Sequence, residues 1–109
     1  MSGVQDHLPI NLPMQEIAAF CRRWNISQLA LFGSVLRDDF GPDSDIDVLA
    51  TFAPGSARTL AAVSQMQQEI EALLGRPVDL VDRQSIERSP NYLRRRAILA
   101  SARTVYSAA

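Results

Sequence analysis

Leu31-Phe32-Gly33-Ser34, ten further residues, then Asp45-Ile46-Asp47-Val48-Leu49-Ala50: the reading of this chain turns on that stretch. Alternate side chains of a strand share a face, so Asp45 and Asp47 are expected to point one way while Ile46 and Val48 enter the core. Two carboxylates held side by side repel, and one tends to take up a proton unless a cation neutralises the pair. Hard oxygen donors of this kind suit magnesium or manganese. The glycine-serine turn supplies a complementary feature. It follows the apolar run Leu29-Ala30-Leu31-Phe32, and Ser34-Val35-Leu36-Arg37 reads as opening a short helix with Ser34 near its N-cap. Free backbone N–H groups at such a turn, with the Ser34 hydroxyl, attract phosphate oxygens, and glycine lets the backbone approach closely.

A third acid extends the pattern. Pro77-Val78-Asp79-Leu80-Val81-Asp82 reads as a short apolar strand with Asp79 in its middle and Val78 and Leu80 on the opposite face. Asp79 is preferred to Asp82 as the third member, because Asp82 falls at the strand end, where a solvated or helix-capping role is ordinary. Taken alone, Asp45 and Asp47 read equally well as a solvated pair. The turn and Asp79 tip the balance toward a metal site. Arg37 is balanced between contacting phosphate and pairing at the surface with Asp38 or Asp39.

The 109 residues, 47% of them apolar, suffice for one compact domain and leave no room for a second, substrate-holding one. A net charge of −1 provides no global basic field, so direct nucleic-acid binding is not expected. All 11 basic side chains are arginine, which reads as compositional bias before functional demand. Cys21 is the single cysteine, which excludes disulfide stapling and a cysteine-rich zinc site. The first residues lack the charged and apolar regions of a secretion signal, and no run approaches membrane-spanning length. A cytoplasmic protein without a membrane partner is the expectation.

Residues 1–12 read as a flexible lead-in and 13–109 as the domain. Pro13 suits the first position of a helix over 13–25, where Ile17, Phe20, Cys21 and Trp24 recur at helical spacing. A strand over 28–32, one or two helical turns and a polar loop over 38–44 lead to a second strand over 45–53, ended by Pro54-Gly55-Ser56. A helix over 57–74 carries Leu60, Val63, Met66, Ile70, Leu73 and Leu74 on one stripe, with Gln67, Gln68, Glu69 and Glu71 around the rest. Gly75 and Pro77 terminate it before a strand over 78–82. Ser89 and Pro90 read as the cap and first position of a last helix to about 102, and Thr104-Val105-Tyr106 as a short strand or extended tail. The strand-helix-strand unit predicts parallel neighbours with a right-handed crossover, which would bring Asp79 beside Asp45 and Asp47. The expected class is α/β, a small mixed sheet with flanking helices. Arg94-Arg95-Arg96 reads as a solvated helix face, Trp24 and Tyr106 as packing, and His7 as inert.

Gly33-Ser34, the ten-residue spacing, Asp45-Ile46-Asp47 and the separate Asp79 together resemble the nucleotidyltransferase superfamily built on the DNA polymerase beta palm. Leu31-Phe32-Gly33-Ser34 with Arg37 and Ser44-Asp45-Ile46-Asp47 is most similar to its minimal branch, the MntA-like antitoxins, over residues 13–106. The resemblance implies a palm-like fold in which Asp45 and Asp47 bind two magnesium ions that clamp a nucleoside triphosphate. It implies that Asp79 shares a metal and helps deprotonate the attacking hydroxyl. Gly33 and Ser34 would hold the triphosphate, with Arg37 and Ser44 as further nucleotide contacts. The implied partner is a helical HEPN ribonuclease toxin, silenced by transfer of AMP from ATP to a toxin tyrosine. So small a domain could hardly also enclose an acceptor, so another macromolecule is expected to present it. Two rival readings remain: transfer to a small hydroxylated compound such as an antibiotic, and a module that masks the toxin without catalysis. The clustered acids weigh against the second.

Overall fold

Four runs of β-branched and apolar residues pair into one sheet in the computed structural model, which describes residues 10–37, 40–55 and 59–108. Strands β1 (Ile26–Phe32), β2 (Ile46–Phe52), β3 (Val78–Asp82) and β4 (Arg103–Ser107) lie in the order β3-β2-β1-β4. β2 and β3 are parallel, while β1 is antiparallel to both β2 and β4. The sheet is therefore mixed, and helices flank it: α1 (Met14–Arg23), α2 (Leu60–Leu74), α3 (Arg83–Glu87) and α4 (Tyr92–Ser101). A single 3₁₀ turn, Gly33–Leu36, follows β1. No helix among the described residues is long and apolar enough to cross a membrane.

Strand alternation divides the core in two. Leu29 and Leu31 of β1 and Ile46, Val48 and Ala50 of β2 pack with Ile17, Phe20 and Cys21 of α1 and Met66 and Ile70 of α2. Fully burying each large side chain there stabilises the fold by about 1.5–3 kcal/mol. Cys21 belongs to this core, and burial pushes its thiol up to about 12, so it is inert packing as expected. Ala30, Phe32 and Leu49 face the other way, beneath Ile86 of α3 and Ile98 of α4. Asp47 and Asp79 lie on that second face, because each alternates with residues committed to the first.

Several local expectations change. β1 begins at Ile26, since buried Ile26 pairs with Phe52 and an irregularity follows at Ser27, whose hydroxyl donates to the Thr51 carbonyl. Pro13 occupies the capping position of α1, one place before the helix proper. Leu12 belongs to the core at 4% exposure, so chain packing starts ahead of residue 13. Residues 1–9, with His7, lie outside the described residues, as do Asp38, Asp39 and Ser56. α2 begins at Leu60 behind Thr59, whose hydroxyl accepts from the Ala62 N–H at 3.0 Å, and Leu60 and Val63 of the expected stripe stand exposed. Gly75 ends α2 in the left-handed region at φ 69°, the conformation for which glycine was expected there. Asp82 caps the unforeseen helix α3 by accepting from the Gln84 N–H at 3.0 Å. Asn91, not Ser89, caps α4; its side chain accepts from the Arg94 N–H at 3.1 Å, while Ser89 accepts from the Asn91 N–H. The tail around Thr104-Val105-Tyr106 is a true strand on the free side of β1.

Candidate active site

The parallel pairing of β2 and β3 sets Asp47 directly opposite Asp79, and Asp47 is also the partner of Phe32, the residue before Gly33. Neighbouring strands lie about 4.8 Å apart. The crossover thus brings together three features far apart in sequence: the turn after β1, the start of β2 and the start of β3. Asp45 stands exposed just ahead of β2, while the Ile46 N–H donates to the Pro77 carbonyl at 3.0 Å and fixes the approach of both strands.

Asp47 is the electrostatic centre of this arrangement. Burial raises its carboxyl above the ordinary value, and the charges of Asp79 and Asp45 push it further. The Ser34 backbone N–H, hydrogen-bonded to it, and the Arg37 charge pull the other way. Ser34 lies near the cap of the 3₁₀ turn, as expected, without being the cap itself. Phe32 takes that position, with no side-chain cap, and the Ser34 hydroxyl donates to the Asp45 carbonyl at 3.3 Å. The geometry explains Gly33 sharply. It adopts φ 75°, and a Cβ there would lie 2.1 Å from Asp47 Oδ2, so only glycine lets the carboxylate sit against the turn.

Arg37 ends the 3₁₀ turn, its N–H donating to the Ser34 carbonyl at 2.9 Å, and its side chain is exposed. The surface partners weighed for it, Asp38 and Asp39, lie outside the described residues. Ser44 closes the loop before Asp45: its hydroxyl accepts from the Gly41 N–H at 3.0 Å and its own N–H donates to the Gly41 carbonyl at 3.1 Å. Arg76 secures the same loop by donating to the Gly41 carbonyl and lying 4.3 Å over the Phe40 ring. Asp82 is set apart, at the far end of β3 and engaged as a helix cap.

Sequence reasoning missed Arg76 and also Gln67 and Glu71, assigned to a merely polar helix face. Their spacing of four on α2 puts both on one side. There they meet the outer edge of β3, where Glu71 accepts from the Val78 N–H at 3.0 Å and Gln67 bonds the Val78 carbonyl and accepts from the Leu80 N–H at 3.4 Å.

Among the described residues, no three His, Cys, Asp or Glu side chains gather tightly enough to enclose a metal ion unaided. The donor set nevertheless fits magnesium, which takes one or two carboxylates and completes its shell with water and substrate phosphates. The fit lies in the placement: Asp47 and Asp79 stand opposite each other on neighbouring strands with Asp45 two residues ahead, and like charges set side by side are what a bound cation relieves. Asp45 and Asp79 stand exposed, and Asp47 is half-buried between them and the turn. A separate cavity of about 210 Å³ lined by Gln28, Thr51, Phe52 and Asp82 sits at the opposite end of the strands.

The nucleotidyltransferase domain family matches residues 14–105. Protein adenylyltransferase MntA of Thermococcus cleftensis is 34% identical over 65 residues, 60% of this chain and 64% of that protein. The match thus spans just under two thirds of this relative's length. A solved structure provisionally described as a minimal nucleotidyltransferase superposes with a TM-score of 0.61 at 32% identity, covering 82% of this chain and 87% of the other. The MNT antitoxin fold also appears in the complex with a tri-AMPylated HEPN toxin of Shewanella oneidensis, a structure that superposes with a TM-score of 0.58 at 20% identity over 86% of this chain and 69% of that one. At that identity the likeness concerns the fold.

Proposed function

The chain belongs to the nucleotidyltransferase domain family, and from that premise we propose that it is an antitoxin that transfers AMP from ATP to a tyrosine hydroxyl of a cognate HEPN toxin. The observation that carries this reading is the convergence of Asp45 and Asp79 on Asp47 against the turn at Gly33. The named activity of the archaeal relative and the AMPylated toxin in the Shewanella complex support the donor and the partner. The exposure of Asp45 and Asp79 supports a protein acceptor, since a side chain carried by another macromolecule can reach them.

In the proposed reaction the acceptor oxygen bonds to the α-phosphorus of ATP, the bond from that phosphorus to the bridging oxygen breaks, and pyrophosphate leaves with the electron pair. Asp79 takes the hydroxyl proton. Asp45, Asp47 and Asp79 would hold magnesium or manganese, which supplies charge neutralisation at the phosphates. The Gly33 turn lets phosphate oxygens approach the backbone, and Arg37 and Ser44 flank the nucleotide. Nucleotidyl transfer asks mainly for positioning and charge stabilisation, which a small rigid sheet can provide.

The test is intact-mass spectrometry of a HEPN protein, taken from the gene neighbouring this chain's where that gene encodes one, after incubation with the full chain, ATP and magnesium. A gain of one or more AMP units on the toxin, lost with Asp47→Asn, is expected. A tight complex with no added AMP under any nucleoside triphosphate would overturn the catalytic reading in favour of masking.

A further inference from the structure

β3 is an edge strand, and its outward backbone groups would ordinarily face water or another chain. Here two side chains of α2 take them. Glu71 Oε2 accepts from the Val78 N–H at 3.0 Å, Gln67 Oε1 accepts from the Leu80 N–H at 3.4 Å, and Gln67 Nε2 donates to the Val78 carbonyl. Gln67 Nε2 also donates to Glu71 Oε2 at 3.2 Å, so the two act as one unit. In a parallel ladder alternate residues bond to opposite sides. Val78 and Leu80 therefore present their amides to α2, whereas Asp79, between them, turns its backbone toward β2 and is held opposite Asp47.

We infer that Gln67 and Glu71 form a clamp on the free edge of β3 that sets the position of Asp79 relative to Asp47. They are positioning residues and touch no substrate. Without the clamp, β3 has a neighbour on one side only, and the strand bearing Asp79 can slide or twist away from β2. A shift at Asp79 alters the spacing of two carboxylates whose charges already act on each other. Removing groups that orient metal-binding side chains typically weakens metal affinity or activity by about 10–100-fold. The inference rests on the reading of Asp79 as part of the reaction centre.

Three full-length variants test it: Gln67→Met and Glu71→Met, which keep helix propensity and stem length but remove the bonds, and Glu71→Gln, which keeps an acceptor for Val78. Amide exchange at Val78 and Leu80, followed by NMR without metal, should quicken by about tenfold or more in the methionine variants, as a lost hydrogen bond exposes each amide. The manganese concentration that half-broadens the Asp79 carboxyl signal should rise by about 10–100-fold. Glu71→Gln should restore both. Should Gln67→Met fail to fold, Gln67→Asn, one methylene shorter, carries the same measurements. Unchanged exchange at Val78 and Leu80 would overturn the clamp, and faster exchange with unaltered manganese response would overturn its link to Asp79. Neither readout requires AMP transfer, so an inactive wild-type chain would refute the proposed function while these signals still judged the clamp.

Discussion

Replacing Gly33 with alanine separates backbone strain from damage to Asp47. Gly33 sits at φ 75°, and the left-handed region costs an L-residue about 1–2 kcal/mol. The stiffer unfolded chain of the alanine variant returns about 0.4–1 kcal/mol, leaving a net loss near 1 kcal/mol. For a domain of this size that lowers the melting temperature by about 4–8 °C. The second effect is steric. The added Cβ would stand 2.1 Å from Asp47 Oδ2, where ordinary contact begins at 3.4 Å, so the carboxylate must retreat by more than about 1 Å or the turn must open. A misplacement of about 1 Å at a reacting group costs on the order of 10²-fold in rate. Gly75→Ala is the matched control: its φ is 69°, and nothing lies within 4 Å of the added atom. Both variants should therefore melt a few degrees early, while AMP transfer falls about a hundredfold in Gly33→Ala alone. Thermal melts beside a labelled-nucleotide transfer assay read both effects. Equal transfer by the two folded variants would refute the argument that Asp47 must lie against the turn.

Asp47→Asn should abolish transfer and raise stability at neutral pH without divalent cation. The folded carboxyl is raised, so the wild type loses stability as pH rises from the ordinary carboxylate range through the folded value; the advantage of the variant should vanish below about pH 4, and a pH-independent difference would count against this. Asp79→Asn should impair transfer strongly with little change in melting, whereas Asp82→Ala should lose about 1 kcal/mol as a missing helix cap and keep transferring; the reverse pattern would make Asp82 the third acid. Glu69, held below its ordinary value chiefly by its bond to Arg23, also accepts from Trp24 Nε1 at 3.1 Å. Its contribution is present above the ordinary carboxylate range and is lost as pH falls through the lowered value, so acid titration should change Trp24 fluorescence in the wild type and not in Glu69→Gln.

What the sequence made legible and what it hid differ in physical kind. Hydrophobic alternation fixes strands because burial repeats every second residue, so β2 and β3 were readable, and the helix between them was long enough to demand a parallel crossover. That alone brought Asp79 to Asp47. Helix caps were less secure: Ser89 and Asn91 stand two residues apart, and both have a side-chain acceptor for the first turn, so only packing decides between them. Five residues of α3 show no helical periodicity to detect. Gln67 and Glu71 were hidden for a deeper reason. Periodicity says which side of a helix is polar, not whether that side meets water or a strand edge. The same limit applies to Ser34. Its residue type pointed to phosphate binding, but its hydroxyl donates to the Asp45 carbonyl at 3.3 Å, while its N–H helps hold the Asp47 carboxyl down. A cation that takes up the Asp47 charge would leave the Ser34 N–H to the nucleotide. Nucleotide affinity at the turn should accordingly depend on divalent cation beyond simple charge neutralisation. Alanine at Ser34 preserves the amide and should leave that dependence intact, which titration calorimetry with and without magnesium can check.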